Sequence, residues 1–454
     1  MKKPQTPPPF VSLFTPERFA KIGVLLGKGA IDAGYYHWNK VRYLPTPDGF
    51  SHEDYWCLLK IIRSANRLKI NELKDPITDV SFSYVTPTRL LQNLHSIDIL
   101  SGIYIGSSEG EKLGPEKHEH RFSSSFLEES IDSSRLEGAS TTRRVAREMI
   151  QSGRKPSNKS ERMILNNFIT MRHVVTLRDK PITPDLIYEI HRMITQGTMD
   201  DPTASGRLRF SDEQICVMDS QGKEVLYEPP PASYLPAAME ALCKFANQTT
   251  RQETSFCHPV IRAVILHFWL AWLHPFVDGN GRTARALFYW SMLRQGYWIF
   301  EYTAISRLLV KAPAQYAEAY LHTETDDNDL TYFLLQQTDV MIKAMQSLHE
   351  FIRSEQREMT EAITKLQRLA SFNNRQRQAI LSALKNPLKE ITLAGYQQMY
   401  NISYGTAWAD FAQLTRDKLF NLEKQGNKNI FVPASNLEQR LKNLTELLVT
   451  GNYQ

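Results

Sequence analysis

The stretch that most constrains this chain is residues 259–296. Its most apolar run, Ala263 to Val277, is interrupted by His267 and His274 and bounded by Arg262. The run is too short to cross a bilayer, which takes about 20 apolar residues, so it reads as a helix buried in protein. Gly279-Asn280-Gly281 then breaks the pattern. Apolar residues at helical spacing resume with Ala284, Ala286, Leu287, Tyr289, Trp290 and Leu293. A glycine turn between two buried helices points to a mainly α fold.

The residues around that turn carry chemistry. Two glycines let the backbone turn sharply and approach a ligand closely. The unpaired N–H groups opening the following helix, together with its dipole, favour an anion. Arg282 and Arg285 lie three apart and project from nearly one face of the first turn. Their guanidinium forks match phosphate oxygens. Asp278 stands beside this basic cradle, where a nucleotide would make it a natural ligand for Mg²⁺. His274 ends the preceding helix, a good place for a general base near neutral pH. The constellation suggests phosphoanhydride binding with Mg²⁺ and a base for a hydroxyl nucleophile. It is not a P-loop, because GxxxxGK[ST] is absent, and HExxH is absent too. The plain alternative, a Gly-Asn turn with its arginines in solvent, accounts poorly for a His, an Asp and two Arg around one turn.

The rest of the 454 residues is ordinary in composition, with 42% hydrophobic and 23% charged residues. That excludes collagen-like, coiled-coil and wholly disordered chains. At roughly 150 residues per domain the length suggests about three domains. The net charge of +5 permits an acidic partner without demanding one. Cys57, Cys216, Cys243 and Cys257 include no CxxC pair, so a zinc ribbon or thioredoxin-type site is not expected. Few cysteines, and no apolar stretch behind the N-terminal lysines, point to the cytoplasm and away from membranes.

Along the chain, residues 1–15 are Pro-rich, and helical patterns run to about residue 100, giving an N-terminal helical region over 1–105. Residues 106–124 read as a linker or loop. A helical core is expected over 125–350, with Thr183 capping a helix that starts at Pro184. The exception is a β-hairpin over 206–230, its strands 214–218 and 224–227 flanking Asp219–Gly222. Over 372–434 three short helices, with Thr392 and Ser403 as N-caps, precede a hairpin turning at Gly426-Asn427. That is the outline of a winged helix. Ten Lys or Arg against four Asp or Glu between 365 and 430 concentrate the basicity there.

His274-Pro-Phe-Val-Asp-Gly-Asn-Gly-Arg-Thr-Ala-Arg285 matches the HPFx(D/E)GNGRxxR signature of the Fic (filamentation induced by cyclic AMP) family at every defined position. The resemblance extends more weakly over about 125–340. It implies a Fic-type helical core whose hairpin is the flap, and transfer of AMP from ATP to a Ser, Thr or Tyr hydroxyl of a target protein. By resemblance His274 deprotonates that hydroxyl and Asp278 holds Mg²⁺. Gly279, Asn280 and Gly281 cradle the phosphates, Arg282 and Arg285 neutralise the β- and γ-phosphates, and Phe276 is a core anchor. Tyr316 stands where the family has a tyrosine pair and an asparagine near the adenine; one tyrosine and the asparagine are missing, with Thr323 nearby. His267 reads as a core histidine and His258 as a helix-start residue.

Upstream, Ser133-Ser-Arg-Leu-Glu137-Gly138 fits the family's [ST]xxxE[GN] inhibitory helix, near 131–138, in the N-terminal placement of class II members. A carboxylate delivered into the cradle would pair with Arg285. The leading expectation is therefore an AMP-transferring enzyme restrained by Glu137, its target docking on the flap by strand addition. Two alternatives stay open. One is a nucleotide-sensing regulator that binds DNA, or a protein partner, through the C-terminal helices. The other is removal of AMP on the same fold. A homo-oligomer is compatible with all three.

Overall fold

The structure is a computed structural model describing residues 3–13, 15–27, 32, 34–102, 119–218, 222–248, 256–368, 372–385, 390–425, 428–437, 439–441 and 443. The chain is mainly α and divides into two compact units, Met1–Leu348 and His349–Gln454. The first opens with α1 (Phe10–Leu13), α2 (Pro16–Gly27), α3 (Trp38–Val41) and α4 (His52–Ser64). The antiparallel strands β1 (Leu68–Lys74) and β2 (Ser81–Tyr84) follow, then α5 (Thr88–Gly102). Next come α6 (Glu119–Leu136), α7 (Arg143–Ser152), α8 (Lys159–Thr176) and α9 (Pro184–Thr195). Strands β3 (Val217–Met218) and β4 (Val225–Tyr227) lead to α10 (Leu235–Asn247), α11 (Pro259–Leu273), α12 (Asn280–Arg294), α13 (Ser306–Lys311), α14 (Pro313–Thr325) and α15 (Thr331–Arg368).

The helix starts follow from local chemistry. Thr183 accepts from the Leu186 N–H with Pro184 at the first helical position, as its sequence predicts. His258 caps α11 by accepting from the Val260 N–H. Helices α11 and α12 pack side by side at the centre, with Trp269, Trp290, Phe268, Phe276 and Phe288 fully buried. Burying an aromatic of this kind contributes about 1.5–3 kcal/mol, so this pair anchors the first unit.

Two expectations differ from what is found. Residues 1–105 are not helical throughout, because β1 and β2 form a hairpin. Asp75 ties off its turn by accepting from the Ile77 N–H and the Thr78 hydroxyl, with Asp79 in the left-handed region at φ 61. Those turn contacts outweigh the helical pattern on either side. The stretch also packs against the core. Phe82 packs edge-on against Trp272 at 4.9 Å, directly behind His274, and Lys60 bonds Asp326 at 2.7 Å. The expected linker overlaps residues 103–118, outside the described residues.

The 206–230 segment pairs as strands only at 217–218 and 225–227. Its first half is irregular because it bonds elsewhere, the Arg209 N–H donating to the Pro275 carbonyl at 2.9 Å. The residues 219–221 of the expected turn fall outside the described residues. Helix α6 stops at Leu136, so Glu137 and Gly138 form its closing turn, Gly138 at φ 90. A glycine is favoured there because a Cβ strains a left-handed backbone.

In the second unit α16 (Asn374–Lys385), β5 (Ile391–Thr392), α17 (Leu393–Tyr400) and α18 (Tyr404–Arg416) precede β6 (Phe420–Gln425) and β7 (Lys428–Pro433). Thr392 and Ser403 cap α17 and α18, and the three strands are ordered β5-β7-β6. The turn expected at Gly426-Asn427 lies outside the described residues. Phe411 stacks on Phe431 at 4.4 Å in a core with Ile380, Leu384 and Leu414. Among the described residues no helix is long and apolar enough to cross a membrane.

Candidate active site

The candidate site is assembled where α11 ends and α12 begins. His274 closes α11 in the left-handed region, φ 46 and ψ 56, which swings its ring out of the helix. Its Nδ1 lies 3.0 Å from the Ala271 carbonyl and so carries the proton. That leaves the Nε2 lone pair for a substrate. Burial pushes the imidazole pKa below its ordinary value, keeping the ring neutral and basic at pH 7.

The turn is rigid. Asn280 spends its side chain on it, accepting from the Phe276 N–H at 3.0 Å and donating to the Phe276 carbonyl at 2.8 Å. The expectation that Asn280 helps cradle phosphate therefore rests on its backbone alone. Gly279 adopts φ 82 and opens α12 without a side-chain cap. A Cβ at Gly279 would meet Thr195 Cγ2 at 2.8 Å. Asp278 is half exposed, and its Oδ1 accepts from the Gly279 N–H at 2.6 Å.

The two arginines are both buried. Arg282 lies 3.5 Å from Asp278 Oδ2 and 3.4 Å from the Ile194 carbonyl, and its Nε has no hydrogen-bond partner among the described residues. Burial lowers its pKa from the ordinary value, and Asp278 and Glu137 only partly offset this. Arg285 is fully engaged: Nε donates to Ser133 Oγ at 2.7 Å, and Nη2 to the Ser133 carbonyl and Glu137 Oε1, both at 2.9 Å. Burial opposes its charge, and Glu137 together with Tyr316 and Glu129 outweighs it, holding the pKa above the ordinary value.

Glu137 thus reaches the cradle from the end of α6. A Cβ built on Gly281 would clash with Glu137 Oε1, so the carboxylate rests directly against the first turn of α12. The anion position at that helix start is filled by the chain's own carboxylate. Ser133, Glu137, Gly281 and Arg285, 152 positions apart at the extremes, form one cluster.

Tyr316 bonds His267 Nε2 through its hydroxyl at 2.8 Å. His267 is the core histidine expected, its pKa pushed down to about 3 by burial, with the Arg285 charge adding to the effect. Its Nδ1 has no partner among the described residues. Tyr320, one helical turn after Tyr316, has its hydroxyl 3.3 Å away and its ring stacked on Phe268 at 5.1 Å. The i, i+4 spacing on α14 was the available signal. Thr323 is buried, its hydroxyl bonded to the Ala319 carbonyl.

Two further residues have no sequence signature. His191, on α9, is fully buried with its ring stacked on Phe276 at 3.7 Å. Arg209, in the segment before β3, is buried against the His274 carbonyl at 2.9 Å. Among the described residues there is no group of three or more His, Cys, Asp or Glu able to hold a metal.

Residues 181–292, from the start of α9 to within α12, match the Fic/DOC family. A protein adenylyltransferase Fic from Nematostella vectensis is 33% identical over 120 residues, which is 26% of this chain and 25% of that protein. One of the same description from Drosophila persimilis is 30% identical over 212 residues, 46% of this chain and 38% of that protein. The chain thus spans well under half the length of the curated relatives it matches. A Fic family protein from Desulfovibrio desulfuricans G20 shares the fold over 78% of this chain and 98% of its own, with a TM-score of 0.51 at 17% identity. With the complete loop signature seated between α11 and α12, the family match identifies residues 181–292 as a Fic/DOC domain.

Proposed function

We infer that the chain is a protein adenylyltransferase, transferring AMP from ATP to a Ser, Thr or Tyr hydroxyl of a target protein, and that Glu137 restrains it. The observation that carries this is the Glu137–Arg285 contact at 2.9 Å over the N-terminus of α12. A chain that buries two arginines at a helix start and covers one with its own carboxylate has a site built for polyphosphate.

In the reaction the hydroxyl oxygen attacks the α-phosphorus, the α–β phosphoanhydride bond breaks, and pyrophosphate leaves. The hydroxyl proton goes to His274 Nε2, the nitrogen left unprotonated by the Ala271 contact. The N–H groups of Asn280 and Gly281 in the first turn of α12 would face the phosphates, the Gly279 N–H being taken by Asp278 Oδ1, while Arg282 and Arg285 take the charge of the β- and γ-phosphates. The half-exposed Asp278 carboxylate beside the cradle suits Mg²⁺, which takes one or two carboxylates and completes its shell with phosphates and waters. When bound, the ion would neutralise charge on the phosphates. Tyr316, with the Tyr320 hydroxyl 3.3 Å away, is the residue expected beside the base. Ser133 and Gly138 hold Glu137 in reach, the first through Arg285 and the second by closing α6. The target docks on the flap over 206–230, and ATP as donor fits a cytoplasmic setting.

The deciding experiment is incubation with α-³²P-labelled ATP, wild type beside Glu137→Gly. Label entering protein, more strongly with the variant, supports the reading; no label with either, in folded protein, removes it. For the second unit, α18 favours a protein partner over DNA. Its exposed side chains include Tyr404 and Trp408, stacked at 6.4 Å, and its one basic residue is Arg416. Steep salt dependence in a DNA-binding assay would reverse that preference.

A further inference from the structure

We propose that His191 and Arg209 are positioning residues that latch both roots of the flap to the His274–Asp278 turn, so that the surface receiving the target and the groups acting on it are held as one piece. The inference rests on the adenylyltransferase reading and adds to it two residues that touch neither nucleotide nor target.

The latch has two bolts, each bridging the same two segments. His191 Nδ1 accepts from the Gly206 N–H at 2.9 Å, and its Nε2 lies 2.8 Å from the Asp278 carbonyl. Since Nδ1 faces a donor, the proton must sit on Nε2 and be given to Asp278. A neutral ring in one tautomer satisfies both bonds, whereas an imidazolium could not accept from Gly206. The stack on Phe276 fixes the ring plane, and burial pushes the pKa down to about 4, keeping the ring neutral. Gly206 can approach because it lacks a side chain: at φ 78, a Cβ there would lie 2.8 Å from Arg192 Nε.

Arg209 makes the second bolt. Its Nε donates to the His274 carbonyl at 2.9 Å, its Nη2 donates to the Pro230 carbonyl, and its N–H donates to the Pro275 carbonyl at 2.9 Å. One guanidinium therefore joins the far root of the flap, Pro230, to the residue that carries the base. The near root is joined at Gly206 and Arg209. A buried guanidinium spent on two carbonyls, with no ion pair to a carboxylate among the described residues, is costly, which argues that the fork geometry matters here. Tyr227 of β4 adds a third tie, its hydroxyl donating to the Trp272 carbonyl at 2.9 Å.

The charge of Arg209 also reaches the base. The groups facing His274 are the Ala271 carbonyl from α11, Glu137 from the end of α6, Arg209 from the flap root and Asp278 from the turn. Arg209 opposes protonation of His274, and the two carboxylates favour it.

The test uses the full chain in a Glu137→Gly background, so that the Glu137 charge is absent throughout. Three changes are compared: Arg209→Met, Arg209→Lys and His191→Phe, the last keeping the ring stack while losing both hydrogen bonds. Self-modification with α-³²P-labelled ATP is followed against ATP concentration, the His274 pKa by NMR, and folding by thermal melting. Displacement of reacting groups by about 1 Å costs on the order of 100-fold. The expectation is therefore a roughly 100-fold lower maximal rate for Arg209→Met and His191→Phe, with the apparent KM for ATP moving less than about twofold. Arg209→Met should raise the His274 pKa. Arg209→Lys should restore that pKa but not the rate, because one ammonium cannot span the His274 and Pro230 carbonyls. Rates within threefold of the parent in folded variants, or an unmoved His274 pKa in Arg209→Met, overturn the latch. If the parent transfers no AMP, the adenylyltransferase reading falls, and hydrogen exchange of the Gly206 amide decides the latch: quickening by about tenfold or more in folded His191→Phe supports it, and unchanged exchange overturns it.

Discussion

Replacing Glu137 by glycine removes the carboxylate that lies against Gly281 and holds Arg285. The size of the effect can be worked from the contact. It is a single N–H···O bond at 2.9 Å between side chains that are 2% and 25% exposed, so solvent screens it little. Hydrogen bonds to charged groups contribute about 1.5–3 kcal/mol, and one bond without a bidentate partner belongs near the lower end. At about 1.5–2 kcal/mol, removal should favour the ATP pose that engages Arg285 by roughly 10- to 30-fold. Ser133 remains as a partner for Arg285, so the guanidinium keeps its place when Glu137 is gone. The assay is initial-rate incorporation of labelled AMP into protein at ATP below saturation. Glu137→Gly should rise by that factor, Glu137→Gln should rise less because a neutral amide oxygen can still accept, and Glu137→Gly with Arg285→Ala should show no gain. A folded Glu137→Gly protein with wild-type or lower activity would refute the reasoning, as would a gain that survives loss of Arg285.

Other outcomes follow from the same geometry. His274→Ala should abolish transfer by about 10²–10⁴-fold while leaving ATP binding, read by calorimetry, nearly intact, since the ring acts on the hydroxyl and not the nucleotide. Asp278→Ala should lower transfer on the order of 100-fold, with EDTA doing the same to the parent; unchanged activity in EDTA would remove the metal from the account. Because burial holds His274 below its ordinary pKa, the acid limb of the rate profile should lie below about pH 6.5, read from initial rates between pH 5 and 8. Stability should also fall with acid. His191 and His322, each held down to about 4 by burial, and His267, at about 3, resist protons that the unfolded chain accepts near 6.5. Their contribution is present above about pH 6.5 and is lost as pH falls from there toward 4, so the melting temperature should drop steadily between pH 7 and 5. A flat melting temperature over that range would contradict it.

Much of the site could be read from sequence because it is local. His274 through Arg285 occupy twelve consecutive positions, and helix end, glycine turn and helix start are each set by neighbours in the chain. Thr183, Thr392 and Ser403 were legible as caps for the same reason. What escaped is what the tertiary fold assembles. His191 is one histidine on an amphipathic helix, and nothing in α9 says that its two nitrogens will meet Gly206 and Asp278. Arg209 looks like any basic residue in a loop until Pro230 and His274 close around it. The β1–β2 hairpin was hidden because its pairing depends on turn bonds at Asp75, while the helical patterns around it dominate a short window. Tyr320 carries no signature of its own in the linear sequence, and only the helical register of α14 brings its hydroxyl to that of Tyr316.

Arg282 and Arg285 leave the same helical turn for opposite electrostatic situations, and under the adenylyltransferase reading this asymmetry sets the order in which the site would take up nucleotide. Both are taken out of water. Arg285 recovers that cost within the chain, through Ser133 and Glu137. Arg282 does not: its contacts to Asp278 and Ile194 are long, its Nε has no partner among the described residues, and burial outweighs the neighbouring carboxylates. A buried guanidinium with unmet donors gains most when an anion arrives. The first phosphate contact should therefore form at Arg282 with Glu137 still in place, and only the later contact at Arg285 requires the carboxylate to leave. Restraint by Glu137 then acts on the pose that precedes transfer more than on binding itself. That ordering follows from which of the two arginines the chain has already satisfied.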